Sequence, residues 1–194
     1  VGREAQAHRM EAMRQALGDV SPEAQRAFFT LSGSMIHDLY GLRVLFGVPS
    51  RVVSADVWAN GRALSAVLEY PAGFRCIATW VDLPKLWDFH ETLEVYGVDK
   101  RVIVSYATGF SRLVSSVTVH HIDAEGRSVR TEPAVDWEIP FRRELRHFHE
   151  CITTGAKPRA SVSDAREDIA LIIDITRAYV TGGPVARAAS PRPA

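Results

Sequence analysis

Residues Gly33 to Pro49 read GSMIHDLYGLRVLFGVP, and the pattern on either side follows from how this stretch is read. At about 100° per residue, Met35, Leu39, Leu42 and Phe46 fall on one face, so the spacing predicts a helix anchored by that stripe. His37 lies almost opposite it. The same count gathers Gly33, Ser34, Gly41 and Val44 around the imidazole, and each glycine weakens the helix by roughly 1 kcal/mol relative to alanine. Spacing leaves two explanations open. Either the glycines admit another backbone at close range and His37 is structural, or His37 with Gly33, Ser34 and Gly41 forms a surface that faces a ligand.

Gly47 and Pro49 end the helix, and the hydrophobic period then drops from about 3.6 to about 2, which marks the start of a sheet. Val53, Ala55 and Val57 alternate with Ser54, Asp56 and Trp58, Asn60-Gly61 signals a hairpin, and residues 63–70 form the return strand. Pro71-Ala72-Gly73 turns the chain into a strand with Phe74, Cys76, Ala78 and Trp80 on one side. Further strands are expected at residues 89–96, 101–106, 115–123 and 127–132, separated by turn-forming stretches. That makes about seven.

Upstream, residues 4–17 are helix formers with a thin face of Ala5, His8, Ala12 and Ala16. Ser21-Pro22 opens a second helix carrying Ala24, Ala27, Phe28 and Leu31. Downstream, Pro140 starts a helix whose face is Phe141, Leu145, Phe148 and Ile152, ending at Gly155. Asp164 is the expected N-cap of a last helix with Ala165, Ile169, Ile172, Thr176 and Tyr179 on one face and Gly182-Gly183 as its stop. Strands bracketed by helices read as α+β, one large open and mostly antiparallel sheet with helices packed on one face. Apolar residues on both sides of several strands, such as Leu64 and Leu68 against Val67 or Ile77 and Val81 against Trp80, predict that the face away from the helices meets another subunit.

With 194 residues, 46% of them hydrophobic, the chain can bury a substantial core. Basic and acidic residues number 23 each, so no net field favours nucleic acid or an anionic membrane. No run approaches the roughly 20 apolar residues of a membrane span. Cys76 and Cys151 lack the spacing of a disulfide framework or a redox motif. A cytoplasmic location is expected. His147, His149 and Cys151 are zinc-ligand types, but on a helix His149 falls on the other side of the stripe from the His147–Cys151 flank, so no metal is expected. His120 and His121 in a strand point to opposite faces. No Gly-x-Gly-x-x-Gly occurs.

The segment IHDLYGLRVLFGVPSRVVSADVW resembles the C-terminal domain of the Gfo/Idh/MocA (glucose-fructose oxidoreductase and inositol dehydrogenase) family, with a histidine (His37), a helix ending in Gly-x-Pro (Gly47, Pro49) and a strand opening in valine (Val52). YPAGFRCIATW, LEVYGVDKRVIV and a closing Phe-x-x-Glu-Leu helix, Gly-x-x-Pro loop and Asp-Ala helix follow in that family's order. The resemblance implies N-terminal helices over residues 1–30, a glyceraldehyde-3-phosphate dehydrogenase-like C-terminal domain over 31–185 for substrate binding and oligomerisation, and a mobile tail over 186–194. It implies NAD or NADP bound by a Rossmann domain that this sequence does not contain, so the chain itself binds no cofactor. The partners implied are a small-molecule substrate, that Rossmann domain, and further copies through the open sheet face. His37 takes the place of the catalytic histidine, which exchanges a hydroxyl proton while hydride moves to or from nicotinamide. Where the family often carries an aspartate four residues earlier, this chain has Gly33. That departure keeps a second reading alive, a non-catalytic binding or scaffold module of the same fold.

Overall fold

The computed structural model describes residues 2–109, 111, 113–135 and 137–187. They fall into two compact units, one within residues 1–82 and 160–194, the other within 83–159. In the first, helices α1 (Arg3–Leu17), α2 (Pro22–Thr30) and α3 (Ile36–Phe46) precede strands β1 (Arg51–Trp58), β2 (Ala63–Glu69) and β3 (Arg75–Val81), and α5 (Val162–Thr181) and β8 (Val185–Ala186) complete it. The second unit holds β4 (Glu91–Tyr96), β5 (Lys100–Tyr106), β6 (Ser116–Ile122), β7 (Ser128–Thr131) and α4 (Pro140–Thr154).

The α+β class and the antiparallel pairing are as expected, but the strands form two four-stranded ladders, β3-β2-β1-β8 and β4-β5-β6-β7, rather than one sheet. The break falls at residues 82–90, where Pro84 cannot donate a ladder hydrogen bond. In the first ladder, Val57, Leu64 and Trp80 lie in register, as do Ala55, Ala66 and Ala78. Leu64, Ala66 and Leu68 are buried there, and α5 and α2 pack on β1. A register shift between Val52 and Ser54 sets two residues of β1 against one of β2, so Val52 is also fully buried. The other face carries Trp58, Val67, Ile77 and Val81 among Ser65 and Thr79, with an Arg51–Glu69–Arg75 cluster at one end.

Ser21 caps α2 as expected, its hydroxyl accepting from the Ala24 N–H at 3.2 Å, and Ala24, Ala27, Phe28 and Leu31 are buried. Four local expectations change. In α1, Ala5, His8 and Ala12 are exposed and the buried contact is Met13. Ser161, not Asp164, caps α5, accepting from the Asp164 N–H at 3.2 Å, which frees the Asp164 carboxylate for Arg43. The buried face of α5 is Asp168, Leu171, Ile172, Ile175, Thr176 and Ala178, while Ala165 and Ile169 are exposed. Counting apolar residues misplaced that face, because a carboxylate sits at its centre. Ala186 and Arg187, assigned to the tail on composition, are held at the sheet edge: Ala186 pairs with Arg51, and Arg187 donates to the Ser50 carbonyl at 2.9 Å and to Asp174 at 2.6 Å. The rest of that segment, 188–194, lies outside the described residues.

The β1–β2 connection is a four-residue loop in which Ala59, Asn60 and Gly61 all have positive φ. A Cβ on Gly61 would lie 2.6 Å from the Glu23 carbonyl and 2.8 Å from the Arg26 Cβ, so this glycine lets α2 approach the hairpin. Gly61→Ala is therefore expected to cost about 2–3 kcal/mol, combining left-handed strain with a backbone clash. Chemical denaturation of the variant measures it.

In the second unit Asp123 organises the β6–β7 turn, its Oδ1 accepting from the N–H groups of Glu125 (3.0 Å) and Arg127 (2.8 Å). Helix α4 begins at Pro140 and ends where Gly155 adopts φ 73°. Its apolar stripe forms as the spacing predicts, yet no residue of α4 is buried.

Candidate functional site

His37 is carried by a nearly continuous helical segment whose middle turn, Leu31–Met35, is π-helical. Gly33 and Ser34 belong to that turn, and low helix propensity at both positions favours the wider i→i+5 spacing. The π turn passes the buried stripe from Phe28 and Leu31 to Met35, Leu39 and Leu42 without interruption. His37 is thereby left on the exposed side, with Gly33 also exposed and Ser34 and Gly41 partly so. Short π segments recur at functional sites.

The structure brings the four sequence-derived residues onto one strip. A Cβ on Gly33 or Gly41 would meet nothing within 4 Å, so neither glycine accommodates another backbone of the described chain. Of the two sequence explanations for the glycines, close packing within this unit fails. Val44 and Leu45, 63% and 61% exposed, continue the strip toward the end of α3. The result is an exposed strip of glycine and aliphatic residues with the imidazole of His37 in it. His37 has no hydrogen-bond or ion-pair partner among the described residues. It can exchange a proton with a hydroxyl group brought to it, but no carboxylate among the described residues pairs with the ring.

The position of α3 is fixed by a feature that the sequence did not reveal. Arg43 donates from Nε and Nη2 to the two Asp168 carboxylate oxygens at 2.8 and 3.0 Å, and from Nη1 to Asp164 at 2.8 Å. Nη2 also reaches the Asp164 carbonyl at 3.3 Å. Asp168 is 3% exposed. Its hydrogen bonds to Arg43 raise the guanidinium pKa above its ordinary value against the opposing effect of burial, so the cation persists at any working pH. Arg43 thus clamps the helix that carries His37 to α5, and four donors of its planar fork are used. An Asp-x-x-x-Asp pair on a helix ordinarily reads as a solvated face. Only its partner more than 120 residues away distinguishes it.

The second unit has its own cleft, about 810 Å³, lined by Val135, Trp137, Glu138, Arg143, His147 and Arg159 among others. The Arg143 hydrogen bond, with Arg146 nearby, holds the Glu138 carboxyl below the usual range. His147 Nε2 accepts from the Arg159 backbone N–H at 3.1 Å and lies 3.5 Å from Cys151 Sγ. None of these cleft residues except His147 was singled out from sequence, since no periodicity marks a wall built from two loops and a helix start. Among the described residues no three His, Cys, Asp or Glu side chains are grouped to hold a metal ion. No described helix is long and apolar enough to cross a membrane.

No family model and no curated protein matches the chain, but solved structures do. It is similar to an aldose-aldose oxidoreductase from Caulobacter crescentus at 24% identity, with a TM-score of 0.62, covering 78% of this chain and 45% of that one. An oxidoreductase from Bacillus cereus matches at 14% identity and a TM-score of 0.65, with 84% and 61% covered. A 3-ketoreductase from Actinomadura kijaniata, solved in complex with NADP, matches at 14% identity and 0.57, with 74% and 44% covered. The chain spans about half the length of most of these proteins. What it shares with them is architecture, and that architecture is the C-terminal-domain fold of the Gfo/Idh/MocA-type oxidoreductases.

Proposed function

We propose that this chain is the substrate-binding and oligomerisation half of a nicotinamide-dependent oxidoreductase acting on a sugar, polyol or related hydroxy compound, and that it is inactive alone. The observation that carries this reading is the imidazole of His37, without a hydrogen-bond or ion-pair partner among the described residues and held at the surface beside open glycines on a helical segment whose other face buries Met35, Leu39 and Leu42. His37 is the proton donor and acceptor for the substrate hydroxyl, while Gly33, Ser34 and Gly41 let the substrate carbon skeleton approach the helix. The hydride acceptor, NAD or NADP, is supplied by a nucleotide-binding half, because no glycine-rich pyrophosphate turn occurs in these 194 residues. The exposed Trp58, Ile77 and Val81 on the sheet face turned from the helices support assembly of copies through that face. Cytoplasmic location accords with two free cysteines.

The competing reading, a binding or scaffold module, draws on Gly33 in place of the expected aspartate and on the lack of an orienting carboxylate for His37. Two experiments test these readings, and the second separates them. Calorimetry with NADH and NADPH is expected to give no saturable heat, and micromolar binding would defeat the half-enzyme reading. Joined to a nucleotide-binding half, the chain is expected to oxidise or reduce a hydroxy compound. If that assembly binds polyol but transfers no hydride, the module reading stands.

A further inference from the structure

The cleft of the second unit is walled by that unit alone: the loop between β5 and β6, the loop between β7 and α4, the first turns of α4, and Arg159 beyond it. Its volume, about 810 Å³, lies in the range of small-molecule sites, about 300–1,000 Å³. From α4 the wall takes Pro140, Arg143, Glu144 and His147, whose spacings of three and four residues put them on one flank of the helix. His147 fastens the far end of the wall, its Nε2 accepting from the Arg159 N–H at 3.1 Å.

The two carboxylates of the wall differ. Glu138 is held from both sides, Oε2 accepting from Arg143 Nε at 3.1 Å and Oε1 from Arg146 Nη2. The Arg143 bond, with the charge of Arg146, keeps this carboxyl below its usual range, so it remains an acceptor. Glu144 has no hydrogen-bond or ion-pair partner among the described residues. Arg143 reaches Glu138 through Nε, which leaves both terminal nitrogens of its fork as donors. A free acceptor and a half-used donor therefore stand side by side on α4.

Charge selects the ligand. Arg143 and Arg146 balance Glu138 and Glu144, and Arg159 is engaged within the chain. An anion at Arg143 would meet the carboxylates of Glu138 and Glu144, and a cation at Glu144 would meet the Arg143 guanidinium, so neither gains the full attraction of an isolated charge. Hydroxyl groups meet no such conflict. Each can donate to a carboxylate or accept from a guanidinium, and two adjacent hydroxyls match an acceptor beside a donor. Val117, Val135, Trp137 and Ile139 make the rest of the wall largely apolar, which suits the C–H faces of a ring. We propose that this cleft binds a neutral ring compound carrying adjacent hydroxyls, such as a pyranose, with Arg143 and Glu144 as the contacting residues. It uses no residue of the His37 strip, and the assignment does not depend on the oxidoreductase reading.

The test is calorimetry of the complete chain with the methyl pyranosides of glucose, galactose and mannose at millimolar concentration. Saturable heat is expected with at least one of them. Glu144→Ala removes a side chain that holds nothing else, and Arg143→Ala leaves Arg146 on Glu138. Each is expected to weaken binding roughly 10- to 100-fold, the worth of a hydrogen bond to a charged group, with an unchanged circular dichroism spectrum. His37→Ala should leave binding as it is. Absence of saturable heat with all three pyranosides overturns the proposal, and so does binding that survives both Glu144→Ala and Arg143→Ala. Binding lost in His37→Ala puts the sugar on the α3 strip and overturns it too. Tighter binding of glucuronate or glucosamine overturns the neutral class. None of these outcomes alters the turnover expected of His37 in a chain joined to a nucleotide-binding half, so the two readings fail separately.

Discussion

Arg43→Ala is expected to destabilise the first unit by about 3–5 kcal/mol, because it removes one partner of a buried ion pair and leaves the other charge in place. The Asp168 side chain is 4% exposed and that of Arg43 13%, so water cannot readily replace the guanidinium. Asp164, at 31%, loses its contact but can be solvated, so most of the loss comes from stranding Asp168. Arg43→Lys should recover only part of the loss, since an ammonium group cannot reproduce the two-pronged contact with Asp168. Replacing both members, Arg43→Met with Asp168→Leu, should recover more than Arg43→Lys, because no unpaired charge remains. Chemical denaturation followed by circular dichroism would measure all three. Equal losses in the single and double replacements would show that packing, rather than the unpaired carboxylate, sets the cost.

His37→Ala, in a polypeptide that joins this chain to a nucleotide-binding half, is expected to lower turnover by roughly 10² to 10⁴, the range for a general acid or base. The fold should be unaffected. The ring is exposed and touches no hydrogen-bond partner, so its loss opens no cavity, and an exposed substitution of this kind stays within about 0.5 kcal/mol. Leu39→Ala, two residues on, is the opposite case: its side chain is 0% exposed, and truncation should cost about 2–5 kcal/mol. Turnover measured beside denaturation midpoints separates the two. If His37→Ala unfolds the unit as severely as Leu39→Ala, the imidazole is structural and its catalytic assignment falls.

The α3 stripe and the alternating strands were legible in the sequence because both depend on local periodicity. Met35, Leu39 and Leu42 are buried where a period of 3.6 puts them, and Leu64, Ala66 and Leu68 where a period of 2 does. The position of His37 off the stripe was legible for the same reason, as were the stops at Gly47, Gly155 and Gly182, where the chain takes positive φ. A family resemblance in the order of short motifs anticipated a fold that identities of 24% and below do not make obvious.

Other features depended on residues far apart in the chain, and local pattern carries no information about them. Asp168 was not among the residues expected on the packed face of α5 and is instead buried within it, because Arg43, 125 residues earlier, neutralises it. Ala186 and Arg187 looked like a loose end and are fastened by Arg51, Ser50 and Asp174. The division of the strands into two ladders is likewise a matter of which edges pair, and alternation specifies the face of a strand but not its neighbour. Sequence alone determined which apolar residues of α3 and β2 turn inward, since that follows from backbone period and side-chain type. Tertiary structure decided which polar groups could follow them inward, because burying a charge requires a partner that only the folded chain brings within reach.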